Sequence, residues 1–296
     1  MNENQVEMRV GRDPQKLGPI AFIGAGNLAW SLVNGLLARG VVRPGQIRVC
    51  NRSSDERLGR FTALGVQTGR DKAALVPGAS VVLLAMKPQD AAAAMAEVAP
   101  HVLPGALVIS TVAGLPLEFL RAAFPAGVNL ARVMPNTSSQ VGASVTAVAV
   151  PAGTDSAAVQ PAIAIFSAVG SVHLVDEDLL DAVTAVSGSG PAYFYYFVET
   201  LIAAAAEAGL DPELARTLVV ETFQGAAAVL KSTGADPASL RARVTSARGT
   251  TEAALRVMVE KGLQEIVRQA VSSAARRSAE ITASFDVQPA KATART

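Results

Sequence analysis

The stretch IAFIGAGNLAW, Ile20 to Trp30, decides how the first half of the chain reads. Four apolar residues predict a strand, Gly24-Ala25-Gly26 a tight turn, and Asn27-Leu28 the opening of a helix. Gly24 permits the turn, Gly26 lets the backbone approach a pyrophosphate, and Ala29 is small enough for helix and strand to pack closely. Amides at the helix start then face the phosphates. A glycine pattern alone is a weak signal, and its plain alternative is an ordinary tight turn. Here it stands at the first strand-to-helix junction of an alternating chain, which is the place of a dinucleotide-binding turn.

The alternation continues outward. QIRVCNR (46–52), VVLLAMK (81–87), ALVISTVAG (106–114) and VNLARVMPN (128–136) each read as a strand running into a loop. SVTAVAV (144–150) and SVHLV (171–175) are two further candidates. Between them Asn27–Arg39, Asp55–Leu64, Gln89–Ala99, Pro116–Ala123 and Asp155–Ala168 have helical spacing. Strand and helix alternating at these lengths predict an α/β domain with a parallel sheet covered on both faces.

Ligands of such sheets bind along the carboxyl edge of the strands, so the residues that end each strand are the cofactor candidates. After the second strand come Asn51-Arg52-Ser53, where an NAD enzyme often places an acidic residue for the ribose hydroxyls. An arginine between small polar residues suits a 2′-phosphate, which a guanidinium grips in a forked geometry, so NADPH is favoured. The alternative is a solvated Arg52 and use of NADH. Ala85-Met86-Lys87-Pro88 ends the next long strand and aims a cation at the same edge, although a lone lysine there is more often plain surface. Val112-Ala113-Gly114 and Asn136 end the following strands and are expected along the same crevice.

Bulk composition narrows the function. The 296 residues are half apolar and only 4% aromatic, so the core must be built of Ala, Val and Leu. With 26 basic and 25 acidic residues the net charge is +1, which gives no long-range pull toward nucleic acid or an anionic membrane. A single cysteine, Cys50, and two separated histidines, His101 and His173, leave no disulfide, no zinc spacing and no expected metal. Residues 1–17 read as a polar, flexible leader without a secretion signal, and uncharged runs are broken by proline or polar residues, so a cytoplasmic protein without membrane spans is expected.

Past Asp176 strand signals stop. Ser189-Gly190-Pro191 starts a helix that ends near Gly209, Asp211-Pro212 and Asp236-Pro237 start two more, and Gly262 separates Thr251–Lys261 from Leu263–Ala283. These helices have broad Ala/Leu/Val faces and no sheet of their own to cover them, which predicts burial against a second copy of the chain. The expected domains are 18–177 for the dinucleotide-binding half and 178–283 for the helical half, with a frayed tail at 284–296.

Five blocks in order and at the right spacing carry a resemblance: AMKPQ (85–89), ISTVAG (109–114), RVMPNTSSQVG (132–142), AVSGSGPAYFYYFVE (185–199) and VTSARGTTEAAL (244–255). In these the chain resembles the pyrroline-5-carboxylate reductases, from about Ile20 to about Ile281. The resemblance implies a Rossmann domain followed by an all-α dimerisation domain, interlocked homodimers, and rings of dimers in some members. It implies an oxidoreductase of proline biosynthesis that transfers hydride from NAD(P)H to the C=N carbon of a cyclic imine, giving L-proline. Two departures stand out. The family usually has Pro-Gly, or a Lys-Gly variant, where this chain has Ala247-Arg248, and Trp30 is bulkier than the usual residue there.

On that resemblance Thr251 is expected to hydrogen-bond the imine nitrogen, with the backbone of Gly249 and Thr250 holding the substrate carboxylate at a helix start. The plainer reading of both threonines is helix capping. Ser187 and Gly188 are expected as a substrate wall, or equally as a hinge ahead of the next helix. Tyr193, Tyr195 and Tyr196 read as interface or core groups rather than acids. No well-placed histidine is required, because the imine protonates in water near neutral pH. Three rivals remain. A reductase of another cyclic imine shares all these features. A β-hydroxyacid dehydrogenase needs a lysine in a glycine-rich motif, and neither Lys231 nor Lys261 has one. A non-catalytic nucleotide or proline sensor would bind NADPH without turnover.

Overall fold

The computed structural model describes residues 17–285. Among these, eight strands form one sheet: β1 (Ile20–Ile23), β2 (Ile47–Cys50), β3 (Gln67–Gly69), β4 (Val81–Leu84), β5 (Leu107–Ser110), β6 (Asn129–Met134), β7 (Ser144–Ala149) and β8 (Gly170–Leu174). Their spatial order is β3-β2-β1-β4-β5-β6-β7-β8. Helices α1 (Asn27–Ala38), α2 (Asp55–Thr62), α3 (Lys72–Leu75), α4 (Pro88–Val98), α5 (Leu117–Ala123) and α6 (Ser156–Ser167) connect them.

Period-two alternation splits the strands between two faces. Ile20 and Phe22 of β1, Val81 and Leu83 of β4 and Leu107 and Ile109 of β5 pack with α1, α2 and α6. Ala21 and Ile23, Val82 and Leu84, and Val108 pack with α3, α4 and α5 on the other side. Phe22, Phe61 and Phe166 are fully buried, each adding roughly 1.5–3 kcal/mol of transfer free energy.

The sheet is not all-parallel, which corrects the expectation from the alternation. β6 and β7 run antiparallel, Val133 opposite Val148, while β7 and β8 return to parallel through α6. The reason lies in the link. A parallel crossover needs a dozen or more residues, and residues 135–143 are too few and are taken up by a 3₁₀ turn at Thr137–Val141. β3 and α3 were not legible: Gln67-Thr68-Gly69 is short and half-exposed, and its pairing with β2 is what makes it a strand.

The helical part comprises α7 (Leu180–Val183), a π-helical turn (Thr184–Gly188), α8 (Gly190–Glu207), α9 (Pro212–Thr233), α10 (Pro237–Arg243), α11 (Thr250–Glu260) and α12 (Leu263–Ala283). Asp211 and Asp236 cap α9 and α10 as expected, accepting from first-turn amides at 2.9–3.1 Å. The chain forms two compact units. One runs to Gly188 and takes up the chain again from Ala274; the other is Ser189–Ser273. The first unit extends beyond residue 177 because Leu180 is buried with Ala147 and Ala149 of β7. An ionic cluster also ties these segments. Arg132 on β6 meets Glu177 at 3.1 Å, and Glu177 accepts from the Leu117 amide at 2.8 Å. Asp181 accepts from Ser278 on α12 at 2.6 Å. The expected leader and tail lie outside the described residues except at their inner ends, where Leu17 is buried and Phe285 packs edge-on against Phe119.

In the second unit Phe223 of α9 packs against Phe194 and Phe197 of α8 at 5.5 and 6.4 Å. Of its larger apolar side chains, Val219 is buried, while Tyr195, Tyr196 and Val259 are 65%, 68% and 77% exposed. A unit with so little core of its own needs a partner surface.

Candidate active site

The sheet order reverses between β1 and β4, and the crevice beyond the carboxyl ends of such a pair is where α/β sheets take ligands. Gly24 leaves β1 with φ +120, and a Cβ there would stand 2.4 Å from the Ala85 carbonyl oxygen. Its own fold therefore requires glycine. Gly26 differs. It has an ordinary φ of −76, and a Cβ would meet nothing within 4 Å. The chain gains nothing internally from its bareness, which leaves room for a group from outside. Gly26 caps α1 without supplying a side-chain acceptor, so first-turn amides, starting at Asn27 and Leu28, keep free donors for an anion. This cradle fits a dinucleotide pyrophosphate.

The remaining cofactor candidates border the same edge. Asn51 is fixed through its amide to Gly69 O at 3.1 Å and its Nδ2 to Ser54 O at 3.4 Å. Arg52 is 74% exposed and meets Asp90 at 3.3 Å, and Ser53 is exposed beside it. Such an exposed pair is worth at most about 1 kcal/mol and leaves the guanidinium available to a phosphate. Lys87 caps α4 from an exposed position, with Pro88 in its first turn and Ala85 and Met86 half-buried before it. Val112 is buried, Ala113 half-buried, and Gly114 adopts φ +75 with its α-carbon against Ile281 of α12.

Asn136 joins the cofactor candidates to the substrate candidates. Its Nδ2 donates to the Ser187 carbonyl at 3.3 Å and lies 3.5 Å from Ser187 Oγ. Ser187 and Gly188 close the π-helical turn, and a Cβ on Gly188 would come 2.4 Å from Met134 Cε. Single π turns are rare and collect at functional sites. These two residues pack in the first unit, ahead of Ser189.

Gly249, Thr250 and Thr251 lie in the second unit, at the start of α11. The cap is Gly249, so neither threonine serves as the helix cap. Thr251 is half-buried and Thr250 exposed. Arg248 just before them has φ +62, the one non-glycine residue with positive φ among the described residues, and its amide donates to the Glu252 carboxylate. A left-handed backbone of this kind is one that glycine adopts without strain, so Arg248 holds it at a steric cost.

Two features escaped the sequence. Arg60 on α2 donates through Nη2 to the carbonyls of Ala25 and Gly26, a contact across 35 and 34 residues that no local pattern signals. Burial, then the neighbouring Arg57, pulls its pKa down. Cys50 is buried with its Sγ 3.4 Å from the Arg70 carbonyl, and burial pushes its thiol up. Among the described residues no three His, Cys, Asp or Glu side chains gather to hold a metal ion, and no helix is long and apolar enough to cross a membrane.

Comparison with known proteins agrees with both units. Residues 177–281 match the family model for pyrroline-5-carboxylate reductase dimerisation, and residues 19–114 match that for the NADP oxidoreductase, coenzyme F420-dependent family. The chain is 39% identical over 267 residues to pyrroline-5-carboxylate reductase 2 of Bacillus subtilis, covering 90% of this chain and 96% of that protein. Among solved structures, a pyrroline-5-carboxylate reductase from Coxiella burnetii superposes with TM-score 0.83 at 36% identity, covering 90% of this chain and 98% of the other. A Plasmodium falciparum pyrroline carboxylate reductase with NADP bound gives TM-score 0.80 at 25% identity, over 89% and 98% of the two chains. With similarity this close running through both the dinucleotide half and the helical half, the chain belongs to the pyrroline-5-carboxylate reductase family.

Proposed function

We propose that this chain reduces L-Δ1-pyrroline-5-carboxylate to L-proline, with NADPH as the preferred reductant and NADH as an alternative. The observation that carries the reading is continuous similarity, 39% identity over 90% of the chain, to a relative with that name. In this reading residues 18–177 bind the dinucleotide and residues 178–283 serve substrate binding and dimerisation.

The reduced nicotinamide, when bound, supplies the hydride. The chain's own residues bind and orient. Gly24, Ala25, Gly26, Asn27 and Leu28 offer backbone donors to the pyrophosphate, and Arg52 with Asn51 and Ser53 meets the 2′-phosphate. Lys87, Val112 through Gly114, and Asn136 line the rest of the cofactor edge. Thr251 hydrogen-bonds the imine nitrogen, while amides at Gly249 and Thr250 hold the carboxylate and Ser187 and Gly188 wall the substrate. The iminium form, which makes the carbon more electrophilic, can form in water near neutral pH. The site therefore needs no strong acid, and its main contribution is orientation and exclusion of water.

The working form is a homodimer through the helical half, with rings of dimers as a larger assembly, acting in the cytoplasm as the last step of proline biosynthesis. Mixing purified protein with NADPH and racemic pyrroline-5-carboxylate tests the proposal. Loss of nicotinamide absorbance with proline appearing by chromatography is the expected outcome. NADPH binding without any proline would overturn it.

A further inference from the structure

We propose that Arg60 is a positioning residue for the cofactor turn: it holds the Ala25 and Gly26 peptides so that their following amides face the pyrophosphate. The proposal rests on the reading of Gly24 to Leu28 as the phosphate-binding turn.

Nη2 of Arg60 lies 3.0 Å from the Ala25 carbonyl oxygen and 3.2 Å from that of Gly26. A trans peptide is planar, so its carbonyl and the next residue's N–H point in opposite directions. Drawing the Ala25 and Gly26 carbonyls toward Arg60 therefore aims the amides of Gly26 and Asn27 away from it, and a Cβ on Gly26 would meet nothing within 4 Å. The Gly26 carbonyl also accepts from Trp30 N at 3.0 Å, so the same atom starts α1 and anchors the guanidinium.

The guanidinium is itself held. Its carbon lies 4.8 Å from the Trp30 ring centroid and 5.2 Å from that of Phe61, and the two rings meet edge to face at 5.2 Å. Phe61 is fully buried, which fixes the seat. A planar cation stacked in this way loses little further freedom when it donates. Trp30 forms one wall of the seat and Phe61 the other. Arg60 Nε is buried without an acceptor, an arrangement that disfavours the fold by itself. An apolar side chain would fill the same space without that orphaned donor. What an apolar residue would lack is the pair of bonds to the two carbonyls of the turn. The positive charge behind the turn also adds to the field at the start of α1 that attracts an anion.

The test uses the full chain with Arg60→Met and with Arg60→Lys, which keeps the charge but loses the stacked fork. Kd for NADPH and for NADH is measured by calorimetry, alongside Tm and the split between KM for the cofactor and kcat. The expected result for Arg60→Met is a common rise in both Kd values of about tenfold, with the NADPH to NADH ratio unaltered, the loss in KM rather than kcat, and Arg60→Lys intermediate. A lowered Tm with both Kd values unchanged would overturn the proposal, reducing Arg60 to a strut between α2 and the turn. So would a loss confined to NADPH, which would mean that Arg60 reads the 2′-phosphate. Gly26→Ala separates the underlying reading: normal binding of both cofactors by that variant would sink the phosphate turn itself, and with it the role of Arg60. If Arg60→Met does not fold, Arg60→Lys alone decides, by a common rise in both Kd values or none.

Discussion

Gly24 and Gly26 stand two residues apart and are glycine for different reasons. The first is imposed by φ +120 and the Ala85 carbonyl, the second by nothing inside the chain. Gly26→Ala is therefore expected to keep the wild-type Tm while weakening NADPH binding at least tenfold, as calorimetry and thermal unfolding can read together. Arg248 poses the opposite case, a side chain in a left-handed backbone and a cation at a helix start. Arg248→Gly is expected to raise stability by about 0.5–1 kcal/mol in urea unfolding, because both effects are relieved. Cys50 is buried with its thiol pushed up, so less of it is thiolate at mildly alkaline pH. Thiolate-directed reagents should modify it slowly until denaturant exposes it, and a rapid reaction of the folded protein would contradict its burial. At this scale the glycine turn was legible because its chemistry is local. Arg60 was not, because its acceptors lie far away in sequence and only the β1-α1 and β2-α2 packing brings them together.

Elements place these residues. The strand ends at Cys50, Leu84, Ser110 and Met134 deliver the candidate loops, and short, nearly continuous apolar runs, as expected of strands covered on both faces, made most of those strands readable. The antiparallel turn at β7 was not readable, since orientation depends on the length and 3₁₀ geometry of residues 135–143 rather than on apolar pattern. The return of α12 to the first unit was also hidden. It rests on Asp181 meeting Ser278 and on Gly114 meeting Ile281, contacts remote in sequence. Gly114→Ala would drive a methyl to 2.5 Å from Ile281 Cγ2 at φ +75. It is expected to lower stability by about 1–3 kcal/mol and to speed amide exchange near Ile281. Arg132→Leu would leave the partly exposed Glu177 carboxylate without its cation and is expected to cost about 1–2 kcal/mol, read by the urea midpoint.

At the scale of the whole molecule, the helical unit carries the family's dimerisation domain and leaves most of its larger apolar side chains exposed in the single chain. The Ala/Leu/Val faces announced this from sequence, although the partner's seat on them is not encoded in any local pattern. Light scattering is expected to give a dimer or a multiple of it, with specific activity falling on dilution through its dissociation; a fully active monomer would contradict the dependence. In the proposed function the turn at Gly24–Leu28 holds the cofactor while Thr251 orients the imine. The most direct test is turnover of pyrroline-5-carboxylate with saturating NADPH by wild type and Thr251→Val, with NADPH Kd measured on both. A fall in kcat of about 10²-fold at unchanged Kd is the predicted result. Unchanged kcat in Thr251→Val would contradict it.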